Sequence, residues 1–293
     1  MEDRAAVKWY PAPAKLNLML HVLGRRDDGY HLLQTVFRLI DFADEVGLIP
    51  RNDGVLRRVD ETQGVDPASD LCLRAARALR ERAVERLGPG ASTLGADIGL
   101  RKHLPIGGGL GGGSSDAATV LIVLNREWRV GLAREELMAL GLTLGADVPV
   151  FIFGRNALGE GVGERLAALA LPPAWYLVLA PQVSVSTKEI FSSGALTRDT
   201  KPLKIPPFLP GLGKNDLQSV ATTLYPEIAV HLDWLSKQGQ SGARMTGSGA
   251  CVFAEFGSQE EAQAVKAKLP VGMRGQVARG LDRHPLLEWT AGR

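Results

Sequence analysis

The sequence predicts an α+β protein of two domains, 1–165 and 166–293, on three observations. Strand-period and helix-period segments are mixed in both halves, the 293-residue length suits two domains of ordinary size, and no internal repeat or low-complexity tract imposes another architecture. Lys+Arg 34 against Asp+Glu 32 leaves a formal charge of +2, with 45% hydrophobic and 23% charged residues. Disordered and fibrous classes are excluded. So small a charge gives no basic footprint for nucleic acid and no cationic patch for a membrane surface, so the partners expected are small molecules.

The elements follow in chain order. After Pro11 and Pro13, which should break the chain, Leu16, Leu18, Leu20 and Val22 alternate with Lys15, Asn17, Met19 and His21. That is the period of a strand, and it sets Lys15 and Asn17 on one face. Arg25 to His31 is turn-rich, and Leu32 to Phe42 is apolar enough for a second strand. From Leu71 to Leu87 apolar residues recur at helical spacing with arginines between, and Gly88-Pro89-Gly90 stops them. Ile98 and Leu100 suggest a strand, Ala117 to Asn125 a helix, and Ala133 to Leu142 another. In the second half, Trp175 to Ala180 reads as a buried strand, and Ser186 with Glu189 as a capping box opening a helix. Thr197 to Asp216 is a Pro/Gly-rich connection, and Asp216 to Leu235 is helical. The end reads strand, glycine turn (Thr246 to Gly249), strand (Cys251 to Phe256), a helix opened by Ser258 with Glu261, and a strand near Gln276 to Leu281.

Cys72 and Cys251 belong to no metal-spaced cluster and read as reduced, buried thiols, and no His cluster or HExxH pattern appears, so no metal-ligating residue is assigned. The N-terminal MEDRAAVKWYPAPAK has no apolar signal core and no run is long enough for a membrane span, so the expected location is the cytoplasm.

The compositional excess is glycine, 34 residues, and six of the seven positions from Gly107 to Gly113 are glycine, between a strand and a helix. Such a backbone bends tightly and brings several N–H groups against one anion, while the helix start at Ser114 and Ser115 adds its N–H donors and positive dipole end. The segment Pro105, Ile106, Gly107, Gly108, Gly109, Leu110, Gly111, Gly112, Gly113, Ser114, Ser115 is therefore read as a phosphate cradle, the alternative being a flexible surface loop. Gly107, Gly109 and Gly112 satisfy G-x-G-x-x-G, but Glu135 and Glu136, where a dinucleotide fold needs an acid at a strand end, lie in a helical pattern. A Walker A loop fails because the only Gly-Lys pair, Gly213-Lys214, is followed by Asn215, and the protein-kinase motifs are absent.

Three segments resemble the motifs of the GHMP kinases. PAPAKLNLML (11–20) looks like the first, Pro105, Gly109, Leu110, Ser114 and Ser115 loosely match the second with two additional residues before the serines, and MTGSGACVF (245–253) looks like the third. DGYH (28–31), GADVPVF (145–151), GEGVGE (159–164) and NDL (215–217) make the chain similar to the branch of that family that phosphorylates a cytidylyl substrate, the 2-hydroxyl of 4-diphosphocytidyl-2-C-methyl-D-erythritol in non-mevalonate isoprenoid synthesis. The resemblance covers nearly the whole chain. It implies a ribosomal-protein-S5-like N-terminal domain, a ferredoxin-like C-terminal domain, an active site between them, ATP with Mg²⁺, and a monomer or homodimer. Another GHMP kinase, acting on homoserine or mevalonate, and a non-catalytic nucleotide-binding regulator on the same fold remain as alternatives.

Asp147 is either a helix N-cap or, with Lys15, the catalytic pair: Asp147 accepting the substrate hydroxyl proton, Lys15 holding that carboxylate ionised and stabilising developing charge. Without the resemblance Lys15 could be a plain surface lysine. Tyr30 and His31 form either a plugged turn or, as the resemblance implies, a cytosine pocket in which Tyr30 and Phe191 stack the base and His31 reads its edge. Asn17 and Thr187 resemble further substrate-side positions, though Thr187 also suits a helix cap. Asp116 is either a partner of Ser115 at Mg²⁺ or an ordinary first-turn acid.

Overall fold

The computed structural model describes residues 7–60, 69–204, 213–238 and 242–290. Part of the Pro/Gly-rich connection expected at 197–216, residues 205–212, lies outside them.

A long antiparallel hairpin of β1 (Lys8–Arg25) and β2 (His31–Arg51) runs through both halves. Strand β1 passes through Pro11 and Pro13, where the sequence predicts a break. At the two prolines its strand partner among the described residues is β2, so the missing N–H groups are tolerated on its other edge, and the register shift at Pro13/Ala14 absorbs the irregularity. Strand β2 changes partner along its other edge. It pairs with β5 (Ala157–Gly161) through Leu33–Phe37, with β10 (Gly275–Leu281) through Leu39 and Ile40, and with β4 (Gly95–Arg101) through Glu45–Arg51. Short strands β3 (Leu56–Arg58) and β6 (Arg165–Ala168) extend β4 and β5. In the second half β10 continues to β7 (Trp175–Leu179), β9 (Val252–Phe256) and β8 (Arg244–Met245), all antiparallel.

Among the described residues, four α-helices cover the first half. Helix α1 (Leu71–Leu87) has the bounds that its periodicity predicts. Asp70 accepts from the Cys72 and Leu73 N–H groups at 2.8 and 3.1 Å, Gly88 ends the helix at φ +94°, and Cys72, Ala75, Ala76, Leu79 and Ala83 are buried. Helix α2 (Gly112–Glu127) begins two residues before the start expected at Ser114 and five before the helical pattern read from Ala117, so Gly112 and Gly113 form its first turn and Gly111, at φ +74°, enters it. Every residue from Ser115 to Asn125 is buried, which hides the usual two-sided pattern at its start. Helix α3 (Arg134–Leu144) and the short α4 (Val148–Phe153) complete this layer.

In the second half, α5 (Thr187–Ser192) starts at Ser186, whose Oγ accepts from Glu189 N at 3.3 Å. The box is incomplete, since the Glu189 carboxylate accepts instead from Tyr225 Oη at 2.6 Å. The single helical stretch expected from 216 to 235 is divided into α6 (Gln218–Leu224) and α7 (Pro226–Ser236), because Pro226 cannot continue a helix but suits a first turn. Helix α8 (Gln259–Lys266) opens at Ser258, which accepts from Glu261 N.

One apolar cluster joins α1–α4 to β2 and β4, and a second joins α5–α8 to β7, β9 and β10. A third, with Leu16, Met19, Val36, Ile40, Tyr176, Val178 and Phe253, welds the halves through the hairpin. The end of the chain returns to the first half, with Leu286 in its core and Trp289 edge-on to Tyr10 at 5.4 Å. No helix among the described residues is long and apolar enough to cross a membrane.

Candidate active site

Between the halves lies a cavity of about 830 Å³, within the size range of small-molecule sites. Strand β1 sends Lys15 and Asn17 into it, as the strand period predicts. Lys15 is 2% exposed, too buried to be the plain surface lysine. Its ammonium donates to Asn17 Oδ1 at 2.7 Å and pairs with Asp147 Oδ2 at 3.2 Å. Asp147 does occupy the N-cap position of α4, but its side chain makes no capping bond. The carboxylate goes to Lys15 and stays 38% exposed toward the cavity.

Asn17 is held in turn. Its Nδ2 donates to Thr35 Oγ1 at 2.8 Å, and its backbone N–H donates to Thr246 Oγ1 at 3.0 Å. Thr246 opens the glycine turn before β9, and Asn215 clamps that turn by donating to the Met245 and Gly247 carbonyls, both at 2.8 Å. Neither Thr246 nor Asn215 was assigned a role from sequence, although both lie inside the motifs quoted for the family resemblance.

Pro105 to Gly113 and Ser114 all line the cavity, and the first-turn N–H groups of α2, out of reach of any helix carbonyl, end at it. The glycines have a second reason to be glycine. A Cβ on Gly109 (φ +75°) would lie 2.1 Å from Thr246 O, and one on Gly111 (φ +74°) would lie 2.9 Å from Phe151 Cζ and 3.2 Å from Lys15 Cε. The loop is therefore packed against both the Thr246 turn and the lysine. Ser115 is placed apart from the other loop residues. It is fully buried, donates to Pro13 O at 2.7 Å, and does not line the cavity.

Asp116 is not positioned beside a Ser115 hydroxyl facing the cavity. It is 2% exposed and paired at 2.8 Å with Lys102, which also pairs with buried Asp44. Burial pushes the Asp116 carboxyl above the usual carboxylate range; the Lys102 ammonium pulls it back and the neighbouring Asp44 carboxylate pushes it up again. Among the described residues no three His, Cys, Asp or Glu side chains gather as metal ligands.

Another part of the cavity wall is formed by Tyr30, His31, Thr187 and Phe191. Tyr30 is 65% exposed at the mouth. The His31 and Phe191 rings lie 4.9 Å apart, inclined by 35°, so Phe191 meets His31 rather than Tyr30 in this structure. Burial, followed by Arg198 and Arg25, holds the His31 imidazole below its ordinary pKa. Thr187 does not cap α5; that task falls to Ser186, and Thr187 Oγ1 lies 2.7 Å from Ser248 Oγ. Both cysteines are buried and neither is in a disulfide. Burial raises both thiols, Cys251 to about 12.

The chain matches the GHMP kinases N terminal domain over residues 70–155 and the GHMP kinases C terminal domain over 207–272. It is 57% identical to a 4-diphosphocytidyl-2-C-methyl-D-erythritol kinase of Nitrosospira multiformis, over 96% of this chain and 93% of that one. It is 58% identical to the enzyme of that name from Thiobacillus denitrificans, over 96% and 98%. A crystal structure of 4-(cytidine 5'-diphospho)-2C-methyl-D-erythritol kinase superposes with a TM-score of 0.78 at 35% identity, covering 93% of this chain and 99% of that one. The α+β architecture is thus that of the GHMP kinases, and the chain belongs to the 4-diphosphocytidyl-2-C-methyl-D-erythritol kinase family within them.

Proposed function

We propose that this protein is an ATP-dependent kinase that phosphorylates the 2-hydroxyl of 4-diphosphocytidyl-2-C-methyl-D-erythritol. The observation that carries the reading is the Lys15–Asp147 pair at 3.2 Å, opening into one cavity with the glycine loop and the Tyr30–His31–Phe191 wall. The division into 1–165 and 166–293, with the cavity between, is part of the same proposal.

Phosphoryl transfer needs an oriented hydroxyl and stabilisation of charge more than covalent participation. The α2 N-terminus and the loop from Pro105 to Ser114 hold the ATP phosphates through backbone N–H groups. Asp147 accepts the hydroxyl proton as the hydroxyl oxygen bonds to the γ-phosphorus of ATP and the bond from that phosphorus to the bridging oxygen breaks, its electron pair leaving with ADP. Lys15, oriented by Asn17, pairs with Asp147 and offers positive charge to the transferring group. Tyr30 and Phe191 hold the cytosine, His31 reads its edge, and Thr187 bounds the wall near Ser248. The protein side chains do not fit a cage for Mg²⁺, because Lys102 engages Asp116 and Ser115 donates to Pro13, so we assign the ion to the ATP phosphates and no protein ligand to it.

ADP release measured against the cytidylyl substrate, homoserine and mevalonate tests this reading. Turnover of the cytidylyl substrate alone is expected. Turnover of another alcohol in its place would move the chain to a different GHMP activity, and ATP binding without turnover of any would leave a regulator.

A further inference from the structure

Arg198 lies beyond α5, in a segment with no sequence motif, and its guanidinium makes four hydrogen bonds. Nε donates to His31 Nε2 at 3.1 Å, Nη1 to Leu196 O at 3.0 Å, and Nη2 to the Phe191 and Ser193 carbonyls at 2.9 and 2.8 Å. A guanidinium has five donors, no acceptor and a permanent charge. His31 Nε2 must therefore present a lone pair, so the imidazole is neutral and its proton sits on Nδ1. The lowered His31 pKa, from burial and then Arg198, agrees with that state. His31 Nδ1 has no partner among the described residues, and His31 lines the cavity. The same arginine grips the Phe191 carbonyl, and the Phe191 ring lies 4.9 Å from the His31 ring. One side chain thus controls both the hydrogen-bond polarity and the spacing of two groups on this wall.

We propose that Arg198 is a positioning residue for base selection: by occupying His31 Nε2 it fixes Nδ1–H as a donor toward the cavity, matched to the N3 lone pair of cytosine and opposed to the N3–H of uracil. This deepens, and rests on, the reading that the substrate carries a cytosine. Opposing two donors in a desolvated pocket leaves both unsatisfied, which corresponds to about 10-fold or more in relative affinity.

The test uses the full chain. Long-range ¹⁵N correlation of the His31 ring should give the Nδ1–H tautomer in the wild type, and CDP should inhibit at least about 10-fold better than UDP. Arg198→Met should shift His31 toward a mixture of tautomers and lower the CDP-to-UDP preference by about that factor, with KM for ATP unchanged. Arg198→Gln, which retains an N–H donor, should recover part of both. Persistence of the Nδ1–H tautomer and of the full preference in Arg198→Met would overturn the proposal, as would an Nε2–H tautomer in the wild type, a measurement that needs no variant to fold. Equal inhibition by CDP and UDP in the wild type would instead overturn the cytidylyl reading, and the selectivity role with it, before any substitution is made.

Discussion

Replacing Gly109 by alanine tests how the glycine loop and the third motif are joined. The added Cβ would lie 2.1 Å from Thr246 O, 3.0 Å from Thr246 C and 3.1 Å from Gly249 O, all backbone atoms that no rotamer change can move. The nearest contact must open by about 1.3 Å to become an ordinary one, against a close-packed interior. Overpacking of this kind costs about 1–3 kcal/mol. The left-handed backbone, at φ +75°, adds about 1–2 kcal/mol for a residue with a Cβ. Stability should therefore fall by about 2–5 kcal/mol in urea unfolding. The shift would not stay local. Thr246 also receives the Asn17 N–H, and Asn17 receives the Lys15 ammonium, so both ATP affinity and kcat should drop. Gly113→Ala is the control. Its Cβ meets only Leu71 Cδ1 at 3.5 Å, in a helical position where alanine is preferred, so stability should hold or rise. If Gly109→Ala unfolded within about 0.5 kcal/mol of the wild type and bound ATP normally by calorimetry, the close approach of the two loops would be refuted.

Asp147→Asn keeps the size of the side chain but removes the proton acceptor, so kcat should fall on the order of 10²-fold or more, and Lys15→Met should do likewise; near-normal turnover of Asp147→Asn in an ADP-release assay would end its role as base. Tyr30→Ala should cost about 1–3 kcal/mol of cytidylyl-substrate affinity with little change in thermal stability, since the ring is exposed, and unaltered substrate affinity would remove the stacking role. Burial lowers the His284 pKa to about 4, so in the unfolded chain it takes up its proton near 6.5 while the folded protein resists it. Stability from this group is therefore full above that range and is lost as pH falls toward 4, by about 2 kcal/mol between pH 7 and 4.5. His284→Asn retains an acceptor for the Leu286 N–H and should remove that share of the acid loss; urea unfolding at the two pH values, showing equal loss in both proteins, would contradict it.

Short-range physics was legible in the sequence. Helix α1 was bounded by its own periodicity and by Gly88, the face shared by Lys15 and Asn17 came from the period of a strand, and Ser258 marked the start of α8. The glycine run announced a backbone that approaches something closely. What it approaches was decided only by tertiary structure: Thr246, 137 residues away, and Phe151. The same holds for the continuation of β1 through Pro11 and Pro13, which depends on its having, at those residues, a strand partner on one edge alone among the described residues. Ser115 and Asp116 bear a motif's residue types, yet packing turned the hydroxyl to Pro13 and gave the carboxylate to Lys102. Arg198 carried no sequence signal, because a guanidinium that orders His31 across 167 positions is defined by its acceptors rather than by its neighbours. Caps and periods are written within a turn or two of chain, whereas pairing across the cavity depends on where independent segments meet once apolar burial has brought them together.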